Sequence, residues 1–100
     1  MPSVIKSSSK TVTTAGTAER LTAAALWVTG LTLTAKTGNV GNIFLGDSDV
    51  DNTAAPLIPG DEISTQSPVI GGVSVPFDLY EIFIDSAQNG EGVNFWYQRG

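Results

Sequence analysis

The chain has 100 residues, enough for one domain with a modest core, and no apolar run approaches the ~20 residues that a membrane-spanning helix needs. It contains no cysteine and no histidine. This excludes disulfides, zinc sites built from these ligands, and every catalytic mechanism in which histidine is the base. The net charge is −5, which argues against nucleic acid, because binding there depends on neutralising phosphates.

The first ten residues predict a flexible arm ahead of a single domain at 11–100. The arm is polar and serine-rich and carries Lys6 and Lys10, a composition that orders only against a partner. Charge is also uneven, because residues 47–100 hold nine of the ten acidic residues. The basic start is therefore expected either to dock on an acidic partner or neighbouring subunit, or simply to face water.

The next segment contains strand signals and one ambiguity. Residues 11–14 form a short β-rich run. Residues 17–26 could be strand or helix, since Ala23, Ala24 and Ala25 favour helix. Residues 26–36 predict a strand, because β-branched and aromatic side chains suit a pleated surface. The apolar alternation changes phase at Gly30, as a β-bulge would require.

The middle of the chain alternates strands with turns. A turn signal at 37–39 precedes a predicted strand at 40–46, and a polar loop follows at 47–55. Residues 62–65 predict another strand. Residues 67–75 contain proline and two glycines, which predicts a loop or an edge strand.

The segment 79–85 alternates between apolar and acidic side chains. This pattern predicts a strand with Glu81 and Asp85 facing solvent. The two acids are four residues apart, about 13 Å along an extended strand. That separation exceeds the ~5–9.5 Å of paired glycosidase carboxylates, so they do not form such a pair.

The C-terminal segment completes a predicted hairpin. Asn89 and Gly90 are a strong turn signal, and residues 93–98 return as a strand. Val93, Phe95 and Tyr97 would share its inward face, so Trp96 would point outward. Trp96 is then either covered by a second sheet or loop, or it contacts another subunit or partner, where aromatic residues are enriched.

Many short strands separated by glycine and proline turns predict an all-β domain. Its expected form is a small antiparallel β-sandwich or a jelly-roll-like barrel with a flexible N-terminal arm. No combination of the remaining reactive residue types forms a recognisable catalytic set. We therefore predict no enzyme activity, no catalytic residues and no cofactor site.

One acidic loop resembles the start of a calcium loop. Asp47, Asp49 and Asp51 occupy its first, third and fifth positions. A helical calcium hand needs glycine sixth and glutamate twelfth, and here those positions hold Asn52 and Ile58. A looser calcium site of oxygen ligands stays open, and the alternative is a loop that only faces water.

The chain contains three longer motifs: Thr37-Gly38-Asn39-Val40-x-x-Ile43-Phe44-Leu45-Gly46-Asp47-x-x-Val50, then Pro56-Leu57-x-Pro59-Gly60-Asp61-Glu62, then Leu79-Tyr80-x-Ile82-Phe83-Ile84-Asp85 followed by Val93-x-Phe95-x-Tyr97. Together with the opening at 12–18, they extend over most of the chain from about residue 11. This pattern resembles that of small virion-associated proteins of tailed bacteriophages and prophages.

The resemblance implies a β-sandwich or jelly roll that decorates or cements a capsid, often as a trimer. The expected partner is the major capsid protein or another virion protein. The expected location is the virion, after synthesis in the host cytoplasm. The family has no active-site residues to carry over. We expect Lys6, Lys10 and Trp96 to lie at the interface.

The alternative is a recognition module of a phage fibre or tail that binds a host receptor or carbohydrate. Such a module needs exposed aromatic rings on which sugars stack, and Trp96 and Trp27 are the candidates.

Overall fold

The computed structural model describes residues 4–54, 56–67 and 69–99, and this part of the chain is all-β. Its only helical element is a 3-10 turn at Leu79–Glu81. The strands are β1 (Val4–Thr11), β2 (Glu19–Arg20), β3 (Trp27–Val28), β4 (Gly30–Ala35), β5 (Ile43–Gly46), β6 (Pro56–Leu57), β7 (Glu62–Gln66), β8 (Val69–Ile70), β9 (Val73–Ser74), β10 (Phe77–Asp78), β11 (Phe83–Ser86) and β12 (Gly92–Arg99).

Two four-stranded antiparallel sheets form a small sandwich, which confirms the predicted fold class. The first sheet has the order β1-β12-β4-β7, and the second has the order β2-β11-β5-β6. Two further pairs, β10 with β3 and β8 with β9, complete the fold. No helix in the described residues has the length and apolar character needed to cross a membrane.

The core lies between the inward faces of the two sheets. Leu33 of the first sheet and Ile43 and Ile84 of the second are fully buried. Burying each such side chain stabilises the fold by about 1.5–3 kcal/mol. The predicted inward face of the last strand is confirmed, since Val93, Phe95 and Tyr97 all belong to the core.

The structure corrects the predicted arm at residues 1–10. Residues 4–10 belong to β1, which pairs with β12 along its whole length; residues 1–3 lie outside the described residues. The polar sequence of β1 hid this strand. An edge strand takes its stability from ladder hydrogen bonds to its neighbour, so it does not need the apolar alternation by which strands are recognised in a sequence.

The predicted strand at 26–36 is two strands in different sheets. The chain divides at Thr29, whose N–H and hydroxyl both donate to the Gln98 carbonyl, at 2.8 and 3.2 Å. β3 pairs with β10, and β4 continues in the first sheet between β12 and β7. The predicted phase change near Gly30 is therefore real, but it marks a change of sheet. Residues 17–26 contain the short strand β2 and no helix.

The predicted hairpin joining 79–85 to 93–98 is also corrected. The 3-10 turn occupies the first part of 79–85, and the strand β11 begins only at Phe83. β11 pairs with β5 and β2, whereas β12 pairs with β1 and β4, so the connection at 87–91 crosses from one sheet to the other. Asp85 is 2% exposed instead of facing solvent, because its side chain accepts a hydrogen bond from the loop residue Gly16.

The remaining strand predictions hold in part. The strand predicted at 62–65 is confirmed as β7. The strand predicted at 40–46 begins only at Ile43, and Val40 is in an exposed loop. The expected loop or edge segment at 67–75 contains the hairpin β8–β9, whose turn glycines Gly71 and Gly72 have positive φ.

A substitution at Gly92 can test how closely β1 packs against β12. A Cβ at this position would lie against the Lys10 carbonyl and only 2.9 Å from Thr11 Cα, whereas a Cβ at Gly38 would meet nothing within 4 Å. We expect Gly92→Ala to lower the free energy of unfolding by about 1–3 kcal/mol, as overpacking does. Gly38→Ala should leave it unchanged or raise it slightly. Urea denaturation of both variants measures the difference, and equal stabilities would contradict the packing of β1 on β12.

Candidate functional site

The outward face of the first sheet carries a continuous set of polar side chains around one tryptophan. The antiparallel register places Ser7 of β1 and Thr32 of β4 on either side of Trp96, and Ser64 of β7 beside Thr32. Because alternate residues of a strand share a face, these belong to one surface. We define the Trp96 face as Ile5, Ser7, Ser9, Thr32, Thr34, Glu62, Ser64, Gln66, Asn94, Trp96 and Gln98.

Trp96 is a partly exposed ridge between two shallow grooves on this face. Its exposed fraction is 43%. One groove lies towards β1 and includes Ser7 and Asn94, and the other lies towards β7 and includes Ser64 and Gln98. Hydroxyl and amide groups therefore border the indole on both sides, and such groups both donate and accept hydrogen bonds.

Charge is nearly absent from the Trp96 face. Glu62 is the only charged residue in the defined set, although the chain as a whole carries −5. A hydroxyl pair, Thr32 Oγ1 and Ser64 Oγ, lies 3.0 Å apart and ties β4 to β7 on this surface. Scarce charge and a central aromatic ring are two features of the core of protein interfaces.

The three residues predicted for an interface do not lie together. Trp96 is on the outward face, as predicted. Lys6 and Lys10 are at the alternate positions of β1, opposite Tyr97 and Val93, so they belong to the other side of the sheet. A basic patch around the tryptophan is therefore not formed.

Lys10 is held within the molecule by Glu19. Its ammonium lies 3.0 Å from Glu19 Oε1, and the side chains are 26% and 17% exposed. Glu19 Oε2 also accepts the N–H groups of Thr13 and Thr14, at 2.9 and 3.0 Å. Burial is the largest single influence and raises the pKa of Glu19, but the hydrogen bonds and the charge of Lys10 outweigh it together and lower the pKa below its ordinary 4.5.

Other acidic residues hold loops by accepting backbone N–H groups. Asp85 Oδ1 accepts from Gly16 and from Ser86, at 2.9 and 2.8 Å. Glu91 Oε1 accepts from Gly41 at 2.8 Å. Sequence reasoning missed the contacts with Gly16 and Gly41, because these donors are backbone groups 69 and 50 positions away and leave no side-chain signal. These carboxylates therefore join loops that are distant in the sequence.

The acidic loop at 47–51 does not gather its three carboxylates around one point. Asp47 Oδ1 accepts from the N–H of Asp49 at 3.0 Å, and Asp51 Oδ1 accepts from the N–H and hydroxyl of Thr53. The hydroxyl of Thr53 contributes most to a lowered pKa of Asp51. No group of three acidic side chains in the described ranges could hold a metal ion, so the calcium hypothesis gains no support from the geometry.

Comparison with known proteins gives no match to a family model, to a curated protein or to a solved structure.

The lowered pKa of Glu19 predicts a pH-dependent contribution to stability. Because the folded pKa is below the unfolded one, the ionised carboxylate stabilises the fold above about pH 4.5 and loses that effect as the pH falls through the folded pKa. Glu19→Gln should therefore destabilise the protein at pH 7 and have a smaller effect near pH 3. Urea denaturation at both pH values measures this, with the exposed Glu81→Gln as control. A Glu19→Gln effect of the same size at both pH values would contradict the assignment.

Proposed function

We propose that this chain is a non-enzymatic structural protein of a bacteriophage particle, a capsid decoration or cement protein that binds the particle surface as a homo-oligomer. The observation that supports a binding role is the Trp96 face: a four-stranded surface with a central exposed tryptophan and one charged residue. Assignment to a phage particle has its support in the sequence resemblance alone.

Docking through this face would rely on burial of the indole and on hydrogen bonds, not on long-range attraction. Tryptophan is among the residues that contribute most binding energy when they are buried at the centre of an interface. The surrounding serine, threonine, asparagine and glutamine side chains can form the polar rim. Single contacts of this size are weak, and a homo-oligomer that binds several capsid subunits together sums them through multivalency.

The proposed partner is the major capsid protein or another virion protein. Deleting residues 1–10 would not test the docking cleanly. That deletion removes β1, which forms an edge of the first sheet and borders one groove beside Trp96. A substitution on the face itself leaves the strand order intact.

Two exposed tryptophans provide a matched pair for this test. Trp96 is 43% exposed on the proposed face, and Trp27 is 57% exposed on β3, outside the first sheet. Particles are purified from cells that encode the chain, and the bound protein is quantified by mass spectrometry for wild type, Trp96→Ala and Trp27→Ala. We expect Trp96→Ala to reduce the bound amount about tenfold or more, as loss of an interface hot spot does. Trp27→Ala should bind like wild type.

Two results would contradict the proposal. Wild-type protein absent from purified particles would remove the capsid role. Equal binding by the two alanine variants would remove the Trp96 face as the docking surface. Circular dichroism and urea denaturation of each variant verify that a loss of binding is not a loss of folding.

A second candidate function is recognition of a host carbohydrate by a phage fibre or tail. The specific observation in its favour is the pair of grooves beside Trp96, where hydroxyl and amide groups border an aromatic ring. A sugar could stack its apolar face on the indole and exchange hydrogen bonds with Ser7, Asn94 or Gln98.

A glycan-array screen tests this second function. Specific binding by the wild type that is lost in Trp96→Ala and retained in Trp27→Ala is the expected result if the face binds sugars. No binding by the wild type would count against carbohydrate recognition and leave the structural role in place.

A further inference from the structure

Among the residues that the structure describes, the first sheet is open, and both of its edge strands, β1 and β7, have backbone groups without a partner strand. The Val12 N–H, just beyond the end of β1, donates to the Glu91 carbonyl at 2.7 Å. This bond fixes which residues of β1 direct their N–H and C=O groups towards β12. In an antiparallel pair this role alternates along the strand. Lys6, Ser8 and Lys10 therefore bond to β12, and the N–H and C=O groups of Ser7 and its alternate neighbours Ile5 and Ser9 point to the free edge.

The opposite edge follows the same rule. The Ala35 N–H donates to the Asp61 carbonyl at 2.9 Å. By alternation, Ile63 and Thr65 bond to β4, and Glu62, Ser64 and Gln66 direct their N–H and C=O groups away from the sheet. On both edges, the residues with free backbone groups are residues of the Trp96 face.

The two edges carry opposite charge. β1 contains Lys6 and Lys10 and no acid, whereas β7 begins with Glu62 directly after Asp61. Lys10 is already paired with Glu19, and Lys6 makes no salt bridge within the described residues. Charged residues on edge strands oppose uncontrolled pairing. Lys6 and Glu62 project to opposite sides of the sheet, so they would form no direct ion pair across the contact. The opposite net charges of the two edges still favour β1 against β7 over β1 against β1 or β7 against β7.

Each edge strand also exposes an isoleucine. Ile5 on β1 is 64% exposed, and Ile63 on β7 is 44% exposed. A strand added at either edge would cover part of these side chains. Apolar surface removed from water in this way adds to the ladder hydrogen bonds.

We propose that copies of this chain associate head to tail, with β1 of one copy pairing antiparallel with β7 of the next to continue the first sheet. This deepens the proposed function, since it rests on the homo-oligomer stated there and names the surfaces that build it. A contact between two different edges is heterologous, and it closes into a ring when the rotation per copy allows.

The pairing has a consequence for the Trp96 face. Residues directly opposite each other in an antiparallel ladder project to the same side. Because the free-edge residues of both strands belong to the Trp96 face, successive copies would present their tryptophans on one side of the assembly. Such an assembly would offer several docking sites together, as multivalent binding requires.

Introduced cysteines test this pairing without interference, because the chain has none of its own. Ser7→Cys and Ser64→Cys place a thiol at the middle of each edge. The two full-length variants are mixed and treated with a short thiol-specific crosslinker. We expect a covalent dimer in the mixture, little in either variant alone, and none above background when Ser7→Cys is mixed with Thr53→Cys in the exposed 47–55 loop.

A second variant measures the strength of the contact. The Ser7 N–H faces the free edge, so Ser7→Pro removes a donor for the neighbouring copy and none for β12. Sedimentation equilibrium should show self-association weakened about tenfold for Ser7→Pro, with Ser7→Thr close to wild type. Higher salt should also weaken wild-type association, because the edges are oppositely charged.

Three results would overturn the pairing: a wild-type protein that stays monomeric at every concentration tested, crosslinking by Ser7→Cys alone as efficient as in the mixture, or unchanged association of Ser7→Pro. These results are separate from the particle assay. Edge-paired oligomers that are absent from phage particles would keep the pairing and remove the capsid function. Protein that is bound to particles but is monomeric in solution and not crosslinked would keep the capsid function and remove the pairing.

Discussion

The fold depends on β12, one of the two inner strands of the first sheet, which hydrogen-bonds to β1 on one side and to β4 on the other. Its inward residues Val93, Phe95 and Tyr97 fill the core, and its outward residue Trp96 is the centre of the candidate interaction face. One strand with a period of two therefore contributes both to the stability of the sheet and to the position of its exposed tryptophan. Changes on one side of β12 affect packing, and changes on the other side affect the surface.

Several acidic residues in the second half of the chain hold loops in place. Asp78 accepts from Leu26 and Tyr80 at 2.8 and 3.0 Å, and Asp85 and Glu91 act in the same way on other loops. Arg20 stacks on the ring of Tyr80, with its guanidinium 3.8 Å from the ring centroid. A domain without disulfides gains specificity from the carboxylate contacts, because each one satisfies a backbone N–H that a short loop would otherwise leave unpaired.

The candidate surfaces share one sheet but have different chemistry. The Trp96 face is nearly uncharged and suits contact by burial, whereas the edges β1 and β7 carry opposite charges and free backbone groups. A face and an edge of the same sheet can be occupied at the same time, since side chains form one and the backbone forms the other. The proposed docking and the proposed self-association are therefore compatible and can be separated by substitutions.

The sequence by itself determined the all-β class, the absence of histidine and cysteine chemistry, and the alternation that buries Phe95 and exposes Trp96. These follow from residue type and from a period of two, which are local properties. Tertiary structure decided the rest. It placed the polar segment 4–10 in a strand, separated Lys6 and Lys10 from Trp96, and buried Asp85 under a loop almost 70 residues away in sequence. Strand partners and carboxylate–backbone contacts are non-local, and the hydrogen-bonding groups they use are common to all or many residues, so no local pattern in the sequence could identify them.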